Sequence, residues 1–404
     1  MDTIRFGIIG MGHRGRLGWI RTLQHTEHAR IMAVADRIAP LREEGAALSG
    51  VGPDNAYENV DDMLARSDVD AVVIAVQPIN NAGLVVRALE AGKHVLCEVP
   101  LALDLVDCWR VVLAAERTGR KVALAEQVSY SPFVYAWKRL IELGLMGTIS
   151  YGEAQYINGK GLDRYWQDAQ TGQRLSWEEA RGNPRAVKTH FWDLYHSILY
   201  TTHSLGPLMR VLDDRIVRVT GMSTPRPSRF LREVVYEDVD LPDLEVALMQ
   251  TRSGAILRLA VGFVAPYPGP EPHHWFHLLG TKGEVETGRR RDERKPLDGK
   301  GSLLWLADQH TNSRVEIDWD FSPYDPVANR ARSSGHGGLD YFPAHDFVES
   351  LLVDRPPTID VYRAAELAGP AILAGRSEEQ GSMPMAAPDF RPGPNRKVGE
   401  PPVT

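Results

Sequence analysis

The feature that most constrains the fold is the group of glycines at Gly10, Gly12 and Gly15. It follows directly after the apolar segment IRFGIIG, which is typical of a buried strand, and it precedes a helical pattern. Gly10 permits a tight turn, Gly12 lets the backbone approach a diphosphate, and Gly15 lets the helix pack closely on the strand. Strand, glycine loop and helix in this order predict a dinucleotide-binding unit of the Rossmann type.

An acid at the end of the second predicted strand supports the same interpretation. Asp36 lies about 20 residues beyond Gly15, where a carboxylate accepts hydrogen bonds from ribose hydroxyls. A carboxylate at this position repels a 2′-phosphate, so the sequence favours NAD over NADP. Arg37 follows directly and can stack on adenine or bind that 2′-phosphate, so the sequence does not exclude NADP.

Five apolar segments alternate with helical patterns in the first third of the chain. They predict strands over residues 4–10, 29–36, 69–76, 94–99 and 121–127. Such strands belong in a doubly wound parallel sheet, whereas the longer alternating segments beyond them predict an open, largely antiparallel sheet with helices. We therefore predict an α/β fold with three parts: a Rossmann domain over residues 1–128, an α+β domain for substrate and oligomerisation over 129–390, and an extended tail over 391–404.

Composition and charge narrow the range of functions. The 404 residues carry a net charge of -7, which argues against a nucleic-acid partner. No apolar run approaches the roughly 18 residues that span a bilayer, and the beginning of the chain has no secretory leader pattern. The two cysteines, Cys97 and Cys108, are interpreted as packing thiols. We expect a cytoplasmic protein that binds a small molecule, with no membrane partner.

The segments GIIGMGHRG, AVQP and ALEAGKHVLCEVP resemble the Gfo/Idh/MocA oxidoreductases. Most members carry a lysine at the position of Val99 and an aspartate four residues before a catalytic histidine. In this chain that histidine is His203, and Leu199 stands four residues before it, so two of the three usual dehydrogenase groups are missing. The resemblance implies NAD as the cofactor. The residues expected to bind it are Gly10, Gly12, His13, Arg14, Gly15, Asp36, Arg37, Gln77, Pro78, Glu98 and Gln127.

One branch of this superfamily resembles the chain more closely. The NAD-dependent glycosidases of glycoside hydrolase family 109, with related NAD-dependent sulfoquinovosidases, are similar in the segments EVP, YTTHSLGP, HGGLDY and SEEQGSMPMAAPDF. These four segments keep their order along the chain. The departures from the family pattern are Thr201 in place of proline, Ser204 in place of glycine, and one additional glutamate in the last segment.

The resemblance implies glycoside cleavage by transient oxidation at sugar C3, elimination between C1 and C2, addition of water and re-reduction. Such a route does not need the two carboxylates of an ordinary glycosidase. Tyr200 is the candidate base for C2, and His203 is the candidate acceptor of the C3 hydroxyl proton. A packed aromatic and a helix-start residue are the alternatives for this pair. His336 and Tyr341 are further catalytic candidates, with a structural turn as the alternative.

Substrate contacts are expected in the segment 157–192, which matches no family pattern. Arg164, Arg185 and Lys188 are candidates for binding an anionic sugar such as a sulfoquinovoside or a uronide, because arginine binds sulfonate and carboxylate groups in a bidentate manner. Solvent-facing charge is the alternative for these residues, and an N-acetylgalactosaminide is the alternative sugar. His196 is a fourth candidate for substrate binding.

Several alternatives remain open. The spacing of His190, Asp193 and His196 suits a metal site, but a solvated helix face explains it equally well, so no metal is expected. The segment HHWFH alternates like a strand and is predicted to lie on a sheet surface. A sugar dehydrogenase with unusual catalytic groups would accumulate NADH, and a non-catalytic sensor would bind NAD without turnover. The resemblance implies a homo-oligomer, either a dimer or a tetramer.

Overall fold

The chain is described here from a computed structural model. The described residues are 2–157, 166–189, 196–228, 240–263, 274–288, 301–309, 313–319, 330–394 and 396–401. Three sheets organise them. Of the residues singled out in the sequence, Arg164, His190 and Asp193 lie outside the described residues.

The N-terminal domain is built on a six-stranded sheet in which every neighbouring pair of strands is parallel. The strand order is β3-β2-β1-β4-β5-β6, which places a ligand crevice where the order reverses beside β1. This confirms the predicted Rossmann domain, to which the structure adds the short β3. The strands are β1 (Ile4–Ile9), β2 (Ala29–Ala35), β3 (Ala56–Tyr57), β4 (Ala71–Ile74), β5 (His94–Cys97) and β6 (Val122–Leu124).

Helices cover both faces of this sheet, which is why its strands are apolar along their whole length. On β1, Phe6 and Ile8 belong to the core that contains Trp19, whereas Ile9 belongs to the core that contains Val85. The helix after β1 begins with a π-helical stretch over Arg14–Ile20. The α-helices of the domain are α1 (Arg21–His25), α2 (Ala39–Ser49), α3 (Val60–Leu64), α4 (Asn81–Glu90) and α5 (Leu105–Thr118).

The C-terminal domain contains a nine-stranded sheet of the order β17-β16-β15-β14-β7-β13-β12-β11-β18. Only β7 and β13 pair in parallel, so the predicted largely antiparallel sheet is confirmed. Its strands are β7 (Ile149–Ile157), β11 (Ile216–Ser223), β12 (Glu245–Thr251), β13 (Ile256–Gly262), β14 (His274–Gly280), β15 (Gly283–Glu286), β16 (Ser302–Leu306), β17 (Val315–Ile317) and β18 (Met385–Ala386).

One face of this sheet packs against helices, and the other face is open in the described residues. Along β12, buried Ala247 and Met249 alternate with exposed Leu248, as expected for a sheet with one covered face. None of the helices in the described part of the chain is both long enough and apolar enough to cross a membrane. The helices of this domain are α6 (Pro132–Glu142), α7 (Trp177–Ala180), α8 (Thr202–Leu212), α9 (Tyr341–Leu352) and α10 (Val361–Glu379).

A small three-stranded sheet lies between β7 and α8 in the sequence and packs on the N-terminal domain. It consists of β8 (Trp166–Asp168), β9 (Arg174–Leu175) and β10 (Ala186–Lys188), in the order β10-β8-β9. A Cβ atom at Gly172 would overlap the side chain of Leu41 on α2, so this turn lies directly on the Rossmann domain. The side chain of Gln77 donates to the carbonyl oxygen of Lys188 at 3.1 Å.

The end of the chain also returns to the N-terminal domain. On α9, Phe347 lies 6.3 Å from Phe6, measured between ring centroids. Just before the predicted tail, Phe390 lies 4.8 Å from Trp109 of α5, measured between ring centroids. The guanidinium of Arg396, which follows, forms a buried ion pair with Glu116 at 2.6 Å. The two domains therefore pack directly against each other, and the candidate active site lies at their interface.

Candidate active site

The glycine loop has the geometry that its sequence predicts. Gly10 has a φ of 94°, which favours glycine, and a Cβ atom there would overlap the carbonyl oxygen of Ala75. A Cβ atom at Gly15 would overlap the carbonyl oxygen of Gly10, so the helix could not pack as closely with any other residue. By contrast, a Cβ atom at Gly12 would meet open space. The loop is therefore closed on the protein side and open on the side where a diphosphate binds.

Asp36 lies at the end of β2 with its carboxylate turned toward this loop. One carboxylate oxygen accepts from the backbone N–H of Met11 at 2.6 Å, and the other accepts from the N–H of Ile38 at 2.8 Å. Each oxygen keeps a lone pair for a ribose hydroxyl, so the carboxylate fits NAD. The side chain of Arg37 is exposed at the same end of the strand.

Glu98, at the end of β5, is held by two donors from the helix that follows the glycine loop. One of its carboxylate oxygens accepts from Nε of Arg14 and from the indole N–H of Trp19, both at 2.7 Å. The backbone of the same segment is also fixed, because Nδ2 of Asn81 donates to the carbonyl oxygens of Glu98 and Pro100. The Glu98 carboxylate is therefore fixed against the helix that follows the glycine loop.

Arg14 continues this network into the C-terminal domain. Its second contact is with Asp340, whose carboxylate accepts from Nη1 of Arg14 at 2.8 Å. The other carboxylate oxygen of Asp340 lies 2.8 Å from Nδ1 of His336. Burial alone would raise the pKa of Asp340, but the charge of Arg14 and the hydrogen bonds from His336 and Arg14 hold it well below its usual range.

The next residue after Glu98 connects this edge of the sheet to the segment that contains Tyr200. Val99 is buried, and the hydroxyl of Tyr200 lies 3.5 Å from its carbonyl oxygen as a donor. Tyr200 ends a short 3-10 helix, and His203 lies in the first turn of α8. Their ring centroids are 5.9 Å apart, so the structure brings the predicted pair together.

His203 forms a buried pair with a carboxylate that the sequence analysis did not select. Nδ1 of His203 lies 3.1 Å from both carboxylate oxygens of Glu126, which is fully buried. Gly206 makes this approach possible, because a Cβ atom there would lie 2.9 Å from Cγ of Glu126. The sequence feature that could have identified Glu126 is its position just after the last parallel strand, since ligands bind at the carboxyl ends of such strands.

An aromatic cluster surrounds His203 on the C-terminal side. The ring of Tyr156 packs edge-on against His203 at 5.3 Å and is stacked on His274 at 4.5 Å. Phe263 packs edge-on against Tyr156 and Tyr200. His273 of the segment HHWFH lies outside the described residues, and the other four residues begin β14 as predicted. The predicted surface position is wrong, because Trp275 and Phe276 are buried and the His274 ring lies 6.0 Å from that of His203.

Three predicted cofactor residues lie along the same edge of the parallel sheet. Pro78 begins the turn after β4 and is buried, and Gln77 before it contacts Lys188 as described above. Gln127 is buried, and its Oε1 accepts no hydrogen bond from any described residue. A buried amide oxygen without a donor fits a ligand that brings one, and the amide group of a nicotinamide is such a ligand.

The predicted substrate residues that the structure describes have protein partners. Arg185 is half exposed and pairs with Asp168 at 3.0 Å within the small sheet. The ammonium group of Lys188 lies 5.8 Å from the ring centroid of Trp166 in the same sheet. These contacts stabilise the small sheet. Binding of an anionic sugar by Arg185 and Lys188 stays a prediction.

His196 lies in a separate network of charged groups. Its Nδ1 lies 2.8 Å from Glu245, and its Nε2 lies 3.1 Å from Glu379. Burial disfavours the charged imidazole, but the hydrogen bonds that it donates to Glu245 and Glu378 outweigh this and raise the pKa of His196 to about 9. His196, Glu245 and Glu378 have the spacing of metal ligands. Arg226 donates to both of these carboxylates and already supplies a cation.

Tyr341 is fully buried at the start of α9. Its ring is stacked on His345 with centroids 5.5 Å apart, and its backbone N–H donates to Oγ of Ser334. This position places the ring in the packing between α9 and the preceding turn. Its predicted catalytic role stays a prediction.

These features define a class of protein: a two-domain, NAD-binding enzyme of the oxidoreductase type. Residues 4–126 match the family model described as "Oxidoreductase family, NAD-binding Rossmann fold". Residues 130–396 match "Glycosyl hydrolase 109, C-terminal domain". Since that model covers more than half of the chain, the chain belongs to glycosyl hydrolase family 109, which confirms the resemblance seen in the sequence.

Curated relatives carry the same family name. The chain is 28% identical to a "Glycosyl hydrolase family 109 protein" from Shewanella pealeana, over 99% of this chain and 88% of the relative. It is 27% identical to a protein of that name from Saccharopolyspora erythraea, over 97% of this chain and 84% of the relative.

Solved structures share the fold. A levoglucosan dehydrogenase in complex with NADH and L-sorbose has a TM-score of 0.75 at 18% identity, covering 96% of this chain and 100% of the other. An oxidoreductase from Agrobacterium radiobacter, in complex with NAD+, L-tartaric acid and magnesium, has a TM-score of 0.70 at 16% identity, covering 96% and 98%. At these identities the likeness concerns the fold alone.

Proposed function

We propose that this protein is an NAD-dependent glycoside hydrolase that cleaves its substrate by transient oxidation at sugar C3. The observation that carries the proposal is the buried Glu126–His203 pair beside Tyr200, at the position where Val99 and Leu199 replace the usual lysine and aspartate. A proton acceptor and a second base are thus present without the dehydrogenase set. We expect the reaction to take place in the cytoplasm and the protein to be a homo-oligomer.

The proposed site must remove a proton from the C3 hydroxyl. When bound, NAD+ supplies the hydride acceptor for C3, and the reduced cofactor supplies the hydride donor at the end of the turnover. His203 accepts the hydroxyl proton in our proposal. Glu126 acts as a positioning residue, because its buried carboxylate orients the imidazole through Nδ1 and stabilises its positive charge. His203 can then return the same proton when C3 is reduced again.

The second proton comes from C2 of the oxidised sugar, where the ketone at C3 makes the C–H bond acidic. Tyr200 is the proposed base. The phenol of an ordinary tyrosine has a pKa near 10, so the phenolate needs a nearby positive charge. In our proposal the protonated imidazole of His203 supplies that charge, since its ring centroid lies 5.9 Å from that of Tyr200. Loss of the C2 proton expels the aglycone from C1, and water then adds at C1 while C2 regains a proton.

The enclosure of the site supports the same reaction. Tyr156, Phe263 and His274 form an aromatic wall next to His203, and such a wall suits the apolar face of a sugar ring. The wall also keeps bulk water from the unsaturated ketone between elimination and hydration. For the sugar we retain two candidates, an anionic glycoside such as a sulfoquinovoside and an N-acetylgalactosaminide, and we make them separate arms of the test.

The test uses nitrophenyl glycosides of both sugars and both anomers, with the reaction run in D2O. Our proposal predicts aglycone release, deuterium at C2 of the released sugar, and no net NADH. The variant Tyr200→Phe should lose C2 exchange while it still binds NAD. The exposed Tyr135, on α6 and away from these residues, provides the matched control Tyr135→Phe.

Three outcomes would contradict the proposal. Aglycone release without deuterium at C2 would exclude the elimination step. Accumulation of NADH from a free sugar, without glycoside cleavage, would instead identify a sugar dehydrogenase. If NAD binds and neither reaction occurs with any of the sugars, the protein is a sensor and not an enzyme for these substrates.

A further inference from the structure

His336 is a predicted catalytic residue, and the structure links it through Asp340 to Arg14 at the glycine loop. It shares the carboxylate of Asp340 with Arg14, which belongs to the helix that follows the loop. Burial lowers the pKa of His13, within the glycine motif, and the nearby arginines and then His336 lower it further. We infer that His336, oriented by Asp340, is a ligand that the C-terminal domain contributes to the diphosphate of the bound dinucleotide.

The orientation of the imidazole is the first argument. Nδ1 of His336 faces Asp340 at 2.8 Å, and Asp340 is almost fully buried. A carboxylate at Nδ1 holds the N–H there or stabilises the doubly protonated ring. The opposite nitrogen, Nε2, forms no hydrogen bond with any of the described residues, and the side chain is half exposed. An imidazole held in this way presents one nitrogen to a ligand.

The backbone around His336 is the second argument. His336 has a φ of 49°, which is unusual for a residue other than glycine, and Gly337 and Gly338 also have positive φ values. A Cβ atom at Gly335 would overlap the carboxylate of Asp340 and would lie 3.5 Å from Nη1 of Arg14. A positive φ at His336 costs about 1 kcal/mol or more, and such a conformation persists only where the surrounding contacts stabilise it. Here the turn brings the imidazole and the buried carboxylate together.

The charge at the glycine loop is the third argument. Arg14 is already shared between Glu98 and Asp340, so its charge is balanced by the protein. A diphosphate at the open side of Gly12 therefore needs further donors. His336 supplies one from the C-terminal domain in the doubly protonated form, in which Nδ1 donates to Asp340 and Nε2 donates to the diphosphate. Binding of the cofactor then joins the two domains, as expected for a cofactor that must remain bound throughout a redox-neutral turnover.

The test measures binding and requires no glycosidase activity, so its failure is distinguishable from failure of the proposed reaction. The variant His336→Asn keeps an N–H near the position of Nδ1 and tolerates the positive φ, but it removes Nε2. We expect the Kd of NAD+ and of ADP-ribose to rise about tenfold, with adenosine binding unchanged because adenosine has no phosphate. Titration calorimetry measures the first two ligands and NMR titration the third.

The matched control is His25→Asn, which changes an exposed histidine at the end of α1, away from the cleft. It should leave all three affinities unchanged. Unchanged NAD+ and ADP-ribose affinities in His336→Asn would overturn the inference, and a simultaneous loss of glycoside turnover would assign His336 to the sugar. An equal loss of affinity for all three ligands would also overturn it, because the variant would then disturb the whole cleft.

Discussion

Two histidine–carboxylate pairs lie along the cofactor crevice, one linked to the glycine loop and one beside Tyr200, and they differ in burial. The pair Glu126–His203 is buried, with a carboxylate that is 0% exposed. In the pair Asp340–His336 the carboxylate is buried, but the imidazole is 46% exposed and the carboxylate is shared with Arg14. The same two residue types therefore suit different tasks. The enclosed pair can move a proton away from water, whereas the open, arginine-linked pair can bind an anion.

The largest expected effect comes from breaking the enclosed pair. In Glu126→Gln the amide cannot stabilise a protonated His203, so we expect the kcat of glycoside cleavage to fall on the order of 100- to 1000-fold. The Kd of NAD+ should stay within about twofold, since Glu126 acts through His203. Steady-state kinetics over a pH series and calorimetry on the same samples check both parts. An equal loss of NAD+ affinity would show that the two histidine–carboxylate pairs do not act separately.

The pair Asp340–His336 can be disturbed by a substitution at Gly335, in the turn that carries His336. In Gly335→Ala the new methyl group would overlap the carboxylate of Asp340, so the free energy of unfolding should fall by about 1–3 kcal/mol. We also expect weaker NAD+ binding, since Asp340 orients His336 and holds Arg14. Urea unfolding and calorimetry measure the two effects. Gly337→Ala is the control at an open position, where only the positive φ opposes a side chain.

A third histidine, His196, is paired with carboxylates in a separate charged network, so its predicted effect is on stability. Its folded pKa of about 9 lies above the ordinary value of 6.5, so the protonated form of His196 stabilises the fold. This stabilisation is complete below pH 6.5 and is lost as the pH rises through 9. We expect it to amount to about 1–2 kcal/mol in the free energy of unfolding.

The measurement for His196 is urea unfolding across that pH range, compared with His196→Asn. The variant should show a smaller fall in stability with rising pH. Gly375→Ala is an independent way to disturb the same contact, because a Cβ atom there would lie 2.8 Å from the imidazole ring of His196. A profile for His196→Asn that matches the parent protein would mean that other groups cause the pH dependence.

The smallest effect is expected at Arg185. Its guanidinium is engaged by Asp168 and Gln170 within the small sheet. For Arg185→Ala we expect kcat/KM to change less than about twofold, as is usual for an exposed ion pair. Kinetics with the anionic and the neutral glycoside check this expectation. A tenfold rise in KM for the anionic sugar alone would restore Arg185 as a substrate ligand.

The comparison also shows which parts of the site the sequence could reveal. Gly10, Gly15 and Asp36 were predictable because their roles depend on backbone geometry within one strand–loop–helix unit. Tyr200 and His203 were predictable as a pair because they lie three residues apart. Glu126 is 77 residues away from His203 in the chain, so no local pattern could join the two. The position of His274 against Tyr156 likewise depends on the pairing of β14 with β7.

By itself the sequence determined the Rossmann domain, its NAD-binding loop, the second domain with its open sheet, and the family. These properties follow from periodicity, glycine positions and short motifs, which act over a few residues. Only the tertiary structure decided which carboxylate partners each histidine, and that His336 is linked to the glycine loop through Asp340 and Arg14. The physical reason is that hydrogen bonds and ion pairs depend on distances in space, and the packing of the two domains sets those distances.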